Sequence, residues 1–111
     1  MRLSPLDPQR WIFFGGLSLA HLVAAHHEEA VKWADRALRE NPRMTAVVNF
    51  KVAACGYLAR FEEGRECMRR LNELLPGRVV ANVRRSYETF VSPEVRAILE
   101  EGRRRVGLPQ E

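Results

Sequence analysis

Cysteine is scarce in this chain of 111 residues, which contains only Cys55 and Cys67. Their spacing matches neither a metal site nor a redox motif, and we expect both to be reduced thiols of a cytoplasmic protein. Cys55 falls where two helices of one structural unit should pack together. We therefore expect its thiol to be buried.

The residue patterns that carry catalysis are also missing. Gly15 and Gly16 fall in the middle of a predicted helix and so do not form a phosphate-binding loop. No serine stands in the glycine context of a nucleophile elbow. The chain thus offers no candidate catalytic residue, and we expect a protein that is not an enzyme and needs no cofactor.

Long hydrophobic runs are absent as well. The apolar stretch at residues 11–17 is shorter than the ~18–20 residues that a membrane-spanning helix needs. Pro5, Asp7 and Pro8 precede it, His21 interrupts its continuation, and no cleavage site of the A-x-A type follows. We expect neither a signal peptide nor a membrane span.

The three histidines, His21, His26 and His27, do not have the pattern of a metal site. His21 is placed on the inner face of the first helix, and the other two lie at a turn between helices. Adjacent residues on a helix point in different directions, and no second cluster completes a coordination shell. We therefore predict no bound metal.

What the chain does contain is a repeat. Pro8, Pro42 and Pro76 stand 34 residues apart, and the residues between them recur in kind. The pairs that are one period apart include Glu28 and Glu62, Glu29 and Glu63, Ala30 and Gly64, Arg36 and Arg70, and Ala37 and Leu71. A fixed period of this length is typical of an array of helix-turn-helix repeats.

Within the repeat, segments 27–31 and 61–65 resemble the start of the second helix of tetratricopeptide repeats. Segment 37–42 is similar to the end of that helix, where proline closes the unit. The leucine–glycine pair of the family's first helix is Leu17–Ser18 in one unit and Lys51–Val52 in the next. The resemblance implies a solenoid of helix pairs, which presents extended binding surfaces.

Apolar residues at steps of three and four predict helices throughout, and no stretch alternates like a strand. We place the helices near 9–24, 27–40, 43–58, 61–75, 78–90 and 93–106. Ser92–Pro93 and Asp7–Pro8 each read as an N-cap followed by proline in the first helical turn. The predicted fold is all-α: an α-α superhelix of about two tetratricopeptide-like repeats with a C-terminal capping helix pair.

The repeat also sets the predicted boundaries. The units are 1–8, the tail of a preceding truncated repeat; 9–42, repeat 1; 43–76, repeat 2; and 77–111, a degenerate third unit with its capping helix. In the third unit, helix 93–106 is expected to pack as the partner of helix 78–90 through Val95, Ile98, Leu99 and Val106. Its charged residues, namely Glu100, Glu101, Arg103, Arg104 and Arg105, are expected to face solvent.

Residues 2–8, followed by an apolar first helix, and the closing residues 107–109 resemble the C-terminal repeat region of alphaproteobacterial class III adenylate/guanylate cyclase-like proteins. The resemblance implies a regulatory or scaffolding tail of a larger bacterial signalling protein. The paired metal-binding aspartates of cyclase chemistry have no counterpart, since Asp7 and Asp35 are the only aspartates. A purely structural spacer is the alternative role.

First helices of tetratricopeptide units line the concave face, so the resemblance places a protein or peptide partner there. By register, the groove residues are Ile12, Gly15, Leu19, Leu22, Asn49, Ala53, Gly56, Tyr57, Val83 and Tyr87. Of the residues with which some members clamp a carboxylate tail, only Asn49 is present. The apolar groove favours a hydrophobic helix or strand. The alternative is that these positions pack among themselves.

Eighteen basic residues against 14 acidic ones give a net charge of +4. The charges are mixed along helix faces, as on a solvated surface. Arg84–Arg85 and the run 103–105 favour a rival function, a nucleic-acid-associated regulator, but no aromatic platform accompanies them. We expect a protein partner rather than nucleic acid, and no membrane association.

Residues 11–14 are consecutive and apolar, so on a helix they point in four directions. The second helix of the same unit can cover the side with Phe14, whereas the side with Trp11, Phe13 and Ala20 lacks a preceding unit. Monomers seldom leave such an apolar strip exposed. We therefore predict a homodimer through the N-terminal helix, with two-fold symmetry.

Overall fold

A computed structural model describes residues 10–89 and 91–107, except for the side chains of Tyr87 and Glu88. Its helices are α1 (Arg10–Val23), α2 (His27–Glu40), α3 (Thr45–Tyr57), α4 (Phe61–Leu74), α5 (Gly77–Glu88) and α6 (Pro93–Val106). No strand occurs in these ranges, which confirms the all-α prediction. The predictions for residues 1–8 and 108–109 lie outside the described residues.

The α1–α2 and α3–α4 hairpins have the same turn, one sequence period apart. Each contains a left-handed alanine, Ala25 with φ 64° and Ala59 with φ 60°. In each turn the next amide donates to a carbonyl five residues back, at 2.8 Å in both cases. These bonds are His26 N to His21 O and Arg60 N to Cys55 O. The repeat read from the sequence is therefore also a repeat of backbone geometry.

Small residues allow α1 and α2 to pack closely. Ala30 and Ala34 on α2 are completely buried, and the Ser18 hydroxyl on α1 donates to the Ala30 carbonyl at 2.8 Å. The rings of Phe14 and Trp33 lie 5.6 Å apart between centroids. Helix α2 thus covers the side of α1 on which the sequence places Phe14 and Ser18.

Helix α3 is the centre of the fold, because it is apolar on nearly every side and a helix of that kind must be covered all round. It contacts α1, α2, α4, α5 and α6. Lys51 is its charged exception, and the Lys51 Nζ lies 2.5 Å from Asp35 Oδ1 and 3.5 Å from Glu63 Oε2. Among the described residues, no helix is long and apolar enough to cross a bilayer.

Helix α6 begins where predicted but packs elsewhere. The Ser92 hydroxyl accepts from the Val95 amide at 3.2 Å, and Gly107, with φ 93°, ends the helix in the left-handed conformation. Its main neighbour is α3, with further contacts to α4, whereas α5 contacts α3 and α4. The expected pairing of α6 with α5 was therefore wrong. The apolar stripe of α6 finds its complement in the small residues of α3.

Candidate functional site

The backbones of α3 and α6 touch where the two helices cross. A Cβ atom added to Gly56 would lie 1.9 Å from the Gly102 carbonyl oxygen. A Cβ atom added to Gly102 would lie 2.5 Å from the Ala53 carbonyl oxygen. Both distances are far inside van der Waals contact, so only glycine fits at these two positions. At this crossing, the small residues of α3 bring its backbone into direct contact with the backbone of α6.

Apolar side chains of α6 seal the seam on either side of the crossing. Leu99 and Val106 are completely buried, and Val95 and Ile98 are half-buried against the same core. Val106 fills the space over Gly64 of α4, where an added Cβ would be 3.0 Å from a Val106 methyl. The predicted stripe on α6 is therefore confirmed, although it faces α3 and α4.

Polar contacts hold the middle and the C-terminal end of α6. The Tyr57 hydroxyl donates to the Ile98 carbonyl at 2.8 Å, and Arg65 Nε donates to the Val106 carbonyl at 3.0 Å. The Arg105 guanidinium lies over the Tyr57 ring, 4.8 Å from its centroid. On Tyr57, the His27 ring stacks at 4.6 Å with an interplanar angle of 8°. Residues of α2, α3, α4 and α6 thus meet around the docked helix.

The pKa values at this junction reflect its burial. Partial burial lowers the pKa of His27, and the positive charges of Arg105 and His26 lower it further. Burial also raises the pKa of Tyr57, against the opposing effect of Arg105. Both pKa shifts favour the neutral form, which suits a stacked pair beside a cation.

The predicted groove residues do not form one open surface. In the second unit, Ala53 and Gly56 lie under α6, and Tyr57 is bonded to it. In the first unit, Leu22 is in the core, Gly15 faces Val47, Leu19 is half-buried and Ile12 is exposed. Val83 on α5 is also exposed, and the Tyr87 side chain is outside the described residues. Helix α6 thus covers three of the predicted groove positions on α3, and the fourth, Asn49, is buried.

Helix α6 was not expected to cover this surface of α3. A signal was present, since Gly102 interrupts a charged helix in which glycine costs about 1 kcal/mol relative to alanine. A glycine at such a position indicates a close backbone approach. Its match is Gly56, one of the groove positions chosen by register.

A second feature beside this surface is a basic cavity of about 450 Å³ between α3, α4, α5 and α6. Its lining includes Asn49, Arg84 and Arg103, all of them buried. Arg103 was expected to face solvent, and that expectation was wrong. Because α6 packs on α3 rather than on α5, the side of α6 that carries Arg103 is turned toward α3 and α5.

The candidate self-association strip lies on α1. Phe13 is 41% exposed and Ile12 is 50% exposed, while Trp11 is half-buried. Gly16, Ala20 and Val23 continue the exposed side of the helix about one, two and three turns further on. An apolar strip therefore follows α1 along its length.

Cys55 packs in the core, and two of the histidines lie next to each other. Cys55 is buried as predicted, and burial, together with the negative charge of Glu63, raises its pKa to about 12. Nδ1 of His21 and Nδ1 of His26 lie 3.4 Å apart. In the part of the chain that the structure describes, no third ligand group joins them to form a metal site.

Comparison with known proteins adds no relative. No family model matches the chain, and neither a curated protein nor a solved structure shows significant similarity to it.

Proposed function

We propose that this chain is a non-enzymatic protein-interaction module made of two tetratricopeptide-like repeats, α1–α2 and α3–α4. The proposal is supported by the 34-residue proline period and by the identical turns at Ala25 and Ala59. Within it, α1 and α3 are the first helices of their units. These two helices would line the concave surface of an α-α superhelix.

The binding surface is the face of α3 that α6 covers. One observation carries this assignment: α6 already shows what the surface accepts, through the contact between Gly56 and Gly102. A partner helix would need a small residue at the crossing and apolar residues one turn to either side, as Leu99 and Val106 are placed. Recognition of a helix in an apolar groove through such spaced anchors is a common mode of peptide binding.

A labelled peptide of residues 93–106 tests this assignment by fluorescence anisotropy. Gly102→Val in the protein should expel α6, because the added methyls would collide with the Ala53 backbone. The peptide should then bind the variant at least about tenfold more tightly than it binds the unaltered protein, whose surface is filled. Ala97→Val is the matched control, since Ala97 lies on the exposed side of α6.

A peptide carrying valine at position 102 should bind neither protein. If the Gly102→Val protein loses its helical circular dichroism, Tyr57→Phe replaces it, because this change removes only the bond to the Ile98 carbonyl. Equal affinity of the peptide for the unaltered protein and for the folded variant altered at the α3–α6 contact would rule out the α3 surface as the binding site.

We further propose that the module is a regulatory or scaffolding part of a larger bacterial, cytoplasmic signalling protein such as a nucleotide cyclase. This wider proposal depends on the resemblance of residues 2–8 and 107–109. Reading the codons upstream of Met1 tests it. A cyclase domain or further repeats in the same reading frame would support it, and an unrelated gene end would contradict it.

A further inference from the structure

The basic cavity between α3, α4, α5 and α6 has the size of a ligand site. Its volume of about 450 Å³ is in the range of small-molecule pockets, and it opens to solvent. It is lined by Asn49, Met68, Asn72, Gly77, Arg78, Val80, Ala81, Arg84, Arg85 and Arg103. Each of the four helices contributes to this lining.

Positive charge is concentrated in this lining. Among the residues that the structure describes, four arginines and no aspartate or glutamate line the cavity. Arg84 is 3% exposed and Arg103 is 6% exposed. Both arginines also interact with other groups of the protein. The attraction for an anion therefore comes from the summed charge of the lining and not from an unpaired guanidinium. Guanidinium groups held away from water attract an anion strongly, because water screens the interaction poorly there.

Asn49 supplies an independent sign of a ligand. Its side chain is completely buried, and its Nδ2 donates to the Thr45 carbonyl at 2.9 Å. Its Oδ1 is buried, and no group among the described residues donates a hydrogen bond to it. A buried acceptor in this state destabilises the fold unless a donor reaches it. A hydroxyl or amine donor on a ligand would satisfy it.

We infer that this cavity binds a small phosphate ester whose phosphate contacts the arginines and whose hydroxyl donates to Asn49 Oδ1. A phosphate has three oxygens with which to accept hydrogen bonds from several guanidiniums at once, whereas one carboxylate fills a single guanidinium fork. The ligand joins α6, through Arg103, to α3, through Asn49, and to α5, through Arg84. The site does not depend on the proposed function.

Isothermal titration calorimetry at a constant ionic strength of about 0.15 M tests the site. The probes are glycerol 3-phosphate, inorganic phosphate, acetate and glycerol. Glycerol 3-phosphate should bind at one site with a Kd below about 1 mM. Inorganic phosphate should bind more weakly, since it lacks the hydroxyl for Asn49, and acetate and glycerol should give no binding heat.

Two arginines on the same helix provide the variant and its control. Arg103→Gln should weaken binding of glycerol 3-phosphate by about tenfold or more. Arg104→Gln should leave the affinity unchanged within about twofold, because Arg104 is exposed and pairs with Glu101. If Arg103→Gln unfolds the protein, Arg78→Gln on the exposed rim of the cavity replaces it and should weaken binding severalfold.

Three results would overturn the inference. The first is the absence of saturable binding by either phosphate compound. The second is equal binding of acetate and phosphate, which would show a general anion effect. The third is an equal loss of affinity in Arg104→Gln and in the cavity variant. Inorganic phosphate binding as tightly as glycerol 3-phosphate would overturn the role of Asn49.

Discussion

Gly56 of α3 and Gly102 of α6 meet so closely that the Cβ atom of any other residue at position 56 would lie 1.9 Å from the Gly102 carbonyl oxygen. The two residues are 46 positions apart in sequence, and each sits within a helix, where glycine is unfavourable. The contact they permit brings Leu99 and Val106 into complete burial. This gain outweighs the local cost of the two glycines.

Substitution at this crossing should destabilise the fold. Gly102→Ala places a Cβ 2.5 Å from the Ala53 carbonyl oxygen, and backbone atoms cannot move aside as a flexible side chain can. We expect a loss of about 1–3 kcal/mol in the free energy of unfolding, measured by urea denaturation.

Gly16→Ala is the matched control for that substitution. Gly16 lies within α1, and a Cβ added there meets nothing within 4 Å. This variant should gain about 0.5–1 kcal/mol, because alanine favours the helix. Equal effects of the two substitutions would contradict the close crossing.

The helix pattern was readable from the sequence because it depends on local spacing. The turns at Ala25 and Ala59 recur because residues one period apart have equivalent places. The surface against which α6 packs could not be predicted from local spacing. An amphipathic stripe such as Val95 to Val106 shows that one side of a helix is buried, but it does not identify the surface that buries it. Only the fit between Gly56 and Gly102 identifies that surface, and it appears once both helices are in place.

Of the two candidate sites, the face of α3 could be predicted from the sequence and the basic cavity could not. Register placed Asn49, Ala53 and Tyr57 on one face of α3, and the structure places Ala53 and Tyr57 against α6. The basic cavity was not predicted, because the expected pairing of α5 with α6 left Arg103 facing solvent and did not bring Arg84 and Arg103 to Asn49 of α3. Long-range packing decides that placement, and no local pattern encodes it.

The two cysteines should differ in reactivity. Burial raises the pKa of Cys55 to about 12, so the thiolate, which is the reactive form, is scarce below that pH. The pKa of Cys67 is also raised by burial, but its side chain is half-buried rather than inaccessible. Iodoacetamide at pH 8, followed by mass spectrometry, should label Cys67 slowly and Cys55 hardly at all. In urea both should react alike, and equal labelling of the native protein would contradict the burial.

Acidification should weaken the junction at Tyr57. Burial and the charge of Arg105 lower the pKa of His27 from its ordinary value of 6.5, so the folded state holds fewer protons than the unfolded state. The free energy of unfolding should therefore fall as the pH drops below 6.5 and be regained as it rises. Thermal unfolding at pH 5.5 and 7.5 measures the difference. The difference should shrink in His27→Gln, and an unchanged difference would contradict the assignment.

Nucleic acid should bind weakly. Of the basic run 103–105, Arg103 is buried, and Arg104 and Arg105 both pair with Glu101, at 2.6 and 2.8 Å. Few of these charges remain to neutralise phosphates on a duplex. In fluorescence anisotropy with DNA and RNA oligonucleotides at ~0.15 M salt, the Kd should stay above about 1 µM. Tighter binding with a steep dependence on salt would favour the nucleic-acid-associated regulator instead.

Self-association should occur through the exposed strip on α1. Phe13 is 41% exposed and Val23 is 45% exposed, and the small residues Gly16 and Ala20 between them leave room for a second α1 to approach. Burying such a strip against its own copy removes apolar surface from water on both protomers. Sedimentation velocity at tens of micromolar protein should therefore show a dimer. Phe13→Glu should give a monomer with unchanged helical circular dichroism, because the side chain already faces outward.

Phe61→Glu is the control that separates this contact from a general effect of removing exposed phenylalanine. Phe61 is 37% exposed, close to the value for Phe13, but it starts α4 and lies off the α1 strip. This variant should remain dimeric, because the added charge is not desolvated in the interface, whereas a glutamate at position 13 would be. If the unaltered protein is a monomer, the predicted dimer is wrong. Dissociation by both substitutions would move the interface away from α1.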